Sequence, residues 1–123
     1  MSQAATDLTI TLQDDRPGVL AAALEAIARA GINLDGMAQF DGLLHVLTRD
    51  PSGATRALRA ARVRVGAERP VLLVELEDQP GAGAAVLRRL ADAGQNVDYC
   101  YLATNTRLVI AGDDPKRLAQ ALE

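Results

Sequence analysis

The first part of the chain alternates apolar and polar residues from Leu8 to Gln13. A period of two predicts a strand with one buried face. Apolar residues then recur at helical spacing between Leu20 and Ile27. Asp15 is positioned to cap this helix and Pro17 to occupy its first turn. Gly31 is expected to end it, so the chain opens with a strand and an amphipathic helix.

Two further strands, a second helix and a short last strand follow. Strand-like runs at 34–40 and 43–48 flank the pair Asp41-Gly42, which is a strong hairpin signal. Asp50-Pro51 can start a helix that continues through residue 61. Residues 62–65 then supply a strand before Gly66. The predicted order of this unit is βαββαβ.

The two halves of the chain repeat each other. The tetrapeptide Asp15-Arg16-Pro17-Gly18 recurs 63 residues later, from 15 to 78, as Asp78-Gln79-Pro80-Gly81. The segment 30–35, Ala-Gly-Ile-Asn-Leu-Asp, recurs at the same spacing as Ala-Gly-Gln-Asn-Val-Asp at 93–98. With one inserted residue, Asp50-Pro51 meets Asp114-Pro115. Two motifs at one spacing indicate an internal duplication.

The second copy is predicted to repeat the first but to lack its last strand. We expect a strand at 71–77, a helix at 80–93, strands at 97–103 and 107–111, and a helix at 115–122. The order indicates an α+β fold with two ferredoxin-like βαββαβ repeats, each an antiparallel sheet with helices packed on one face. The corresponding division is a flexible N-terminal tail at 1–7, a first module at 8–66, a linker at 67–70 and a second module at 71–123.

The first strand of the second copy departs from simple alternation. Leu72, Val74 and Leu76 make its normally polar face apolar, whereas Glu75 stands at a core position. Either this strand is shifted by one residue or both of its faces are buried. The missing last strand also leaves an edge that strand 62–65 or a second chain could cover. Closed internal pairing and a dimer of chains are both compatible with the pattern, and we expect a homodimer.

At the repeated motifs both copies resemble the ACT family, whose members carry a strand, an Asp/Asn-x-Pro-Gly turn, a helix, a Gly-x-Asn-aliphatic segment and a hairpin. The resemblance implies modules that sense amino acids for metabolic enzymes. It also implies paired modules, with the ligand between the turn of one and the asparagine-bearing strand of the other. Two crossed ligand-binding sites are then expected. One joins Asp15, Arg16, Pro17 and Gly18 to Asn96, and the other joins Asp78, Gln79, Pro80 and Gly81 to Asn33.

The residue types at these positions suit a zwitterion. The free amides at the start of a helix favour a carboxylate, and Asp15 could accept from an ammonium group. Asn33 and Asn96 each offer a donor and an acceptor. The alternative is that these turns are only cap and turn chemistry. Gly83 and Gln95 replace residues with larger or more apolar side chains in the first copy, so the two sites are not expected to be equivalent.

Composition limits the classes of partner. Sixteen acidic residues outnumber thirteen basic ones, for a net charge of −3, which disfavours nucleic acid and anionic membranes as partners. The longest apolar runs are far shorter than a membrane span, and the polar start does not resemble a signal peptide. The single cysteine cannot form an internal disulfide. We therefore expect a cytoplasmic protein.

No pattern indicates catalysis, a metal or a cofactor. His45 is expected at a half-exposed strand position, and Cys100 as a small apolar filler. No cysteine and histidine cluster has ligand spacing, and no phosphate-binding glycine loop is present. Tyr99 and Tyr101 project to one face of a strand, where they either line a ligand pocket or pack in an interface.

The arginines at 56, 59 and 62 recur every third residue on the predicted second helix. They form either a docking stripe for an acidic partner or, as we expect, a solvated helix face.

The function expected from the sequence is that of a non-catalytic regulatory protein. It would bind a free amino acid at the interface between its two ACT modules and signal to a separate enzyme or regulator. The alternative is an ACT-type assembly or docking subunit that binds a protein partner without a small-molecule ligand. Ligand-dependent melting would separate the two.

Overall fold

The computed structural model describes residues 1–123, which form six strands and four helices. None of the four helices combines the length and the apolar character needed to cross a bilayer. The elements are, in chain order, β1 (Ser2–Thr11), α1 (Val19–Arg29), β2 (Gly36–Phe40), β3 (Leu43–Leu47), α2 (Pro51–Ala60), β4 (Arg64–Glu75), α3 (Ala82–Asp92), β5 (Tyr99–Ala103), β6 (Arg107–Ala111) and α4 (Pro115–Ala121).

The prediction of two ferredoxin-like repeats with separate open sheets is wrong. The six strands are hydrogen-bonded in the closed order β1-β3-β2-β5-β6-β4, which makes one barrel. Two long strands explain the difference. β4 has 12 residues and runs straight through 67–70, where a linker was expected. β1 has ten residues and begins within the expected tail, 1–7. Strands of this length leave no open edge.

The chain divides into two compact units, and Thr6–Arg69 is one of them. In this unit β3 pairs antiparallel with β1 on one side and β2 on the other, so that Thr9 and Ala38 both lie opposite His45. The apolar positions of the alternating and helical patterns meet in one core. Its fully buried members include Leu8, Ile10, Ala23, Ile27, Leu44, Val46 and Leu58.

The other compact unit consists of Met1–Ala5 and Pro70–Glu123. Here β6 pairs antiparallel with β4 and with β5, and Leu72 lies opposite Ile110. The core of this unit includes Leu72, Val74, Leu90, Leu108, Ile110 and Leu118. All four residues from Val71 to Val74 are buried, so burial of both faces of this strand is the alternative that the structure bears out.

The N-terminal residues cover the edge that the sequence left open in this second unit. The amide of Glu75 donates a hydrogen bond of 2.9 Å to the carbonyl oxygen of Met1. The alternative that strand 62–65 takes this position is wrong, because Met1 occupies it. Residues 1–5 were expected to form a tail because their side chains are mostly polar. Pairing through backbone groups requires no apolar side chains, so the sequence pattern did not indicate this part of the strand.

Candidate ligand-binding site

The first Asp-x-Pro-Gly turn ends in a left-handed glycine. Gly18 has φ 92° and is the residue before α1, and its carbonyl oxygen accepts from the amide of Ala22 at 2.9 Å. The predicted cap is wrong, because the helix begins two residues after Pro17 and no side chain, including that of Asp15, caps it. The first amides of α1 therefore lack a side-chain acceptor at the positive end of the helix.

A cavity of about 370 Å³ lies against this turn, within the Thr6–Arg69 unit. Three of the predicted site residues line it, whereas Asp15 does not and its neighbour Asp14 does. The volume falls in the range of pockets that hold small molecules. One wall comes from β1, the turn and α1, and is formed by Thr11, Leu12, Gln13, Asp14, Arg16, Pro17, Gly18, Val19 and Ala22.

The rest of the cavity lining comes from the junction of α2 and β4, namely Arg62, Val63 and Arg64. Sequence reasoning placed Arg62 on the helical stripe with residues 56 and 59. The helix ends at Ala60, and Arg62 lies beyond it with a left-handed φ of 62°. The two arginines were therefore not among the predicted site residues. The sequence Arg-Val-Arg after a helix was a usable signal, because alternate residues of a strand share a face.

In the lining of the cavity, positively charged side chains outnumber negatively charged ones. Arg16 pairs with Asp14, with 3.1 Å between Nε and Oδ2, and both side chains are more than half exposed. Arg62 and Arg64 are exposed, and their side chains take part in no hydrogen bond or ion pair of the structure. The only carboxylate of the wall is thus engaged, while two guanidinium groups are free to meet an anion.

Asn33 lies at a different cavity of the same unit, of about 450 Å³, together with Asp35 and Arg49. Its Nδ2 is 3.4 Å from Oδ1 of Asp35 and 3.3 Å from the carbonyl oxygen of Leu34. The Asp35 carboxylate is 3.6 Å from Nε of Arg49. In this unit the asparagine therefore supports the start of β2 and is not part of the cavity at the turn.

The second turn reproduces the first. Gly81 has φ 90° and is the residue before α3, and its carbonyl oxygen accepts from the amide of Ala85 at 2.9 Å. Asn96 donates from Nδ2 to Oδ1 of Asp98 at 3.2 Å, as Asn33 does to Asp35. Residues 15–18 and Asn33 belong to one compact unit, and residues 78–81 and Asn96 to the other. The crossed pairing of turns and asparagines stays a prediction.

His45 is buried, contrary to the expectation of a half-exposed position. Its Nδ1 lies 3.0 Å from Oδ2 of Asp7, which is fully buried and also accepts from the hydroxyl of Thr9 at 3.0 Å. A buried carboxylate with several partners is typical of a structural polar cluster. No group of three or more potential ligands is arranged to hold a metal ion.

The expectation for Cys100 is also wrong, because its side chain is exposed instead of filling the core. It follows Tyr99 in β5 and precedes Tyr101. The rings of the two tyrosines stack with centroids 6.5 Å apart and planes 6° from parallel.

The chain is similar to one family model and to several solved structures. The ACT domain family model matches residues 6–62. A crystallised protein from Bacteroides thetaiotaomicron is 28% identical, with a TM-score of 0.84, over 98% of this chain and 88% of that one. The regulatory subunit of aspartate kinase from Thermus flavus is 17% identical, with a TM-score of 0.67, over 100% and 96% of the two chains.

The E. coli aspartokinase III complex with lysine and aspartate is 17% identical, with a TM-score of 0.60, over 98% of this chain and 30% of that one. At such identities these two aspartate kinase structures show a common fold. None of the curated proteins is significantly similar to the chain.

Proposed function

We propose that the chain is a regulatory protein of two ACT-type units that binds a free amino acid at its first Asp-x-Pro-Gly turn and signals to a separate enzyme or regulator. The observation that carries the proposal is the cavity of about 370 Å³ lined by Arg16, Pro17 and Gly18. All of its lining residues except Val63 and Arg64 lie in the part of the chain that the ACT model matches, 6–62.

Repeated hydrogen bonds support a second ACT-type unit. The amide of Asp35 donates to the carbonyl oxygen of Leu47 at 2.8 Å, and that of Asp98 donates to Ala111 at 2.8 Å. Like the asparagine bonds and the glycine turns, these contacts recur at the spacing of the sequence repeat. Identical local geometry in both halves is expected when a folding unit has been duplicated.

The relatives support a regulatory role. A chain of nearly the same length with this fold is the regulatory subunit of aspartate kinase from Thermus flavus. In the E. coli aspartokinase III complex, the fold is part of a protein that holds lysine and aspartate. We propose that this chain likewise binds an amino acid and passes the effect to a separate protein, as a regulatory subunit does.

The chemistry of the cavity supports this role. The first amides of α1 and the nearby arginines favour a carboxylate, and the carboxylate of Asp14, which can accept more than one hydrogen bond, is the acceptor for an ammonium group. A bound amino acid would change the partner only as far as its affinity differs between the two states of the protein. The predicted completion of each site by an asparagine remains part of the proposal.

The test is a thermal-melt screen of the purified chain against the twenty amino acids. A ligand at a hundred times its dissociation constant adds about 2.7 kcal/mol to the free energy of unfolding, which the midpoint reports. Ala22→Leu places extra side chain in the cavity and should remove the shift. Its matched control is Ala21→Leu, because residue 21 is the next exposed residue of α1 but does not line the cavity.

Two outcomes would decide the proposal. A midpoint raised by at least one amino acid, and lost in Ala22→Leu alone, supports binding at the first turn. If no amino acid raises it, the sensor proposal fails, and the alternative of a docking subunit becomes the better explanation. Asn33→Ala and Asn96→Ala in the same screen test whether the asparagines contribute.

A further inference from the structure

We infer that the cavity at the first turn takes an amino acid whose side chain is itself acidic, and that Arg62 and Arg64 select it. The inference rests on the proposed function and deepens it by naming the ligand class. It is carried by the balance of charge around the cavity and by the free state of the two guanidinium groups.

The cavity wall contains three arginines and a single carboxylate, in a chain whose net charge is −3. The carboxylate, on Asp14, is already paired with Arg16 at 3.1 Å. Arg62 and Arg64 remain as cations of the lining without a carboxylate partner. Local charge of this sign, against the overall charge of the protein, raises the concentration and affinity of anions at this point.

An amino acid with a neutral side chain can pair with only some of these cationic groups. Its single carboxylate can pair with the amides of α1 or with the guanidinium groups of Arg62 and Arg64, and the group that it does not meet stays without an anion. A second carboxylate on the side chain lets the ligand pair with both. Guanidinium is well matched to this task because it can donate two parallel hydrogen bonds to one carboxylate.

The preference for an acidic amino acid is inferred for the cavity at the first turn only. Arg64 is the first residue of β4. Along this edge, beside β1, Gly66 lies close to Thr9 and Thr11. In the other unit the corresponding place beside Glu75 is taken by Met1, through the hydrogen bond to its carbonyl oxygen. Neither Met1 nor Ser2 carries a guanidinium group, so this place does not repeat the pair of arginines.

The experiment compares ligands that differ only in charge. Aspartate against asparagine, and glutamate against glutamine, are titrated calorimetrically into the whole chain and into Arg64→Gln, Arg62→Gly and Arg59→Gln. Glycine is chosen at 62 because the left-handed φ of 62° suits it, so the charge is removed without backbone strain. Arg59→Gln is the control, since it removes the same charge from the end of α2 but lies outside the cavity.

The expected result is that an acidic amino acid binds more tightly than its amide. Arg62→Gly and Arg64→Gln should each weaken the acidic ligand roughly tenfold to a hundredfold, and Arg59→Gln less than twofold. The affinity should also fall as salt is added, because both arginines are exposed.

Other outcomes overturn the inference and can be told apart. If a neutral or basic amino acid binds best, and Ala22→Leu but neither arginine variant abolishes binding, the ligand class is wrong and the proposed function stands. If Arg59→Gln weakens binding as much as the other two variants, the arginines act only through net charge and do not select the ligand. If no amino acid binds, the proposed function fails and this inference fails with it.

Discussion

Gly18 and Gly81 share one left-handed backbone conformation, with φ of 92° and 90°, each immediately before a helix. Residues other than glycine rarely adopt it, because their Cβ would crowd the neighbouring carbonyl oxygen. Apart from the glycine itself and its two chain neighbours, no heavy atom lies within 4 Å of a Cβ built at either position. The glycines are therefore required by the backbone alone, and not by lack of space.

The cost of that conformation can be measured. Gly18→Ala should lower the free energy of unfolding by about 1 to 2 kcal/mol, with no contribution from packing. The matched control is Gly83→Ala, at the second residue of α3, where the nearest atom is the Cδ1 of Leu76 at 4.0 Å. That variant should instead gain about 0.5 kcal/mol from helix propensity. Urea denaturation distinguishes the two signs, and equal signs would contradict the explanation.

The start of α2 depends on a side-chain cap. Oδ1 of Asp50 accepts from the amide of Gly53 at 3.0 Å, so Asp50→Ala should lower the free energy of unfolding by about 1 kcal/mol and Asp50→Asn by less. A Cβ at residue 53 would collide with the Asp50 carboxylate, so Gly53→Ala should displace the same cap. A double-mutant cycle in chemical denaturation tests this coupling, and simple additivity of the two changes would refute it.

Deletion of residues 1–5 should expose the edge of β4 in the second unit. The amide of Glu75 would lose its acceptor, the carbonyl oxygen of Met1, and should exchange with solvent much faster. An exposed strand edge also favours association between chains. Hydrogen exchange and light scattering measure the two effects. Unchanged protection of the Glu75 amide after the deletion would mean that the N-terminal segment does not cover this edge.

The buried Asp7 should be more important for stability than its neighbour Thr9. Asp7→Ala removes the acceptor of both His45 and Thr9 from a fully buried position, so the free energy of unfolding should fall by about 3 kcal/mol or more. Thr9→Val keeps the shape of the side chain and removes only the contacts of the hydroxyl with Asp7 and His45, at a cost of about 1 kcal/mol. Denaturation of both variants gives the comparison, and the reverse order would show that the cluster contributes little.

Local patterns predicted much of the secondary structure because each pattern depends on neighbouring residues. The hairpin at Asp41-Gly42 has positive φ at both residues, as its sequence indicates, and β6 spans the predicted 107–111. The start of α1 was placed too early for the same local reason. Asp15 and Pro17 are favourable at helix starts, but the left-handed Gly18 delays the first helical residue to Val19.

The recurrence of the Asp-x-Pro-Gly motif, the turns at Gly18 and Gly81, and the buried faces of the strands and helices could be read from the amino-acid sequence. These follow from side-chain periodicity and from the φ angles that each residue type tolerates. The closure of the strands into a barrel, the position of Met1 beside Glu75, and the place of Arg62 and Arg64 in the cavity lining depend on the folded chain. Backbone donors and acceptors are the same at every residue except proline. Side-chain patterns therefore show which face of a strand is buried, whereas the pairing of its edges is decided only when the chain folds.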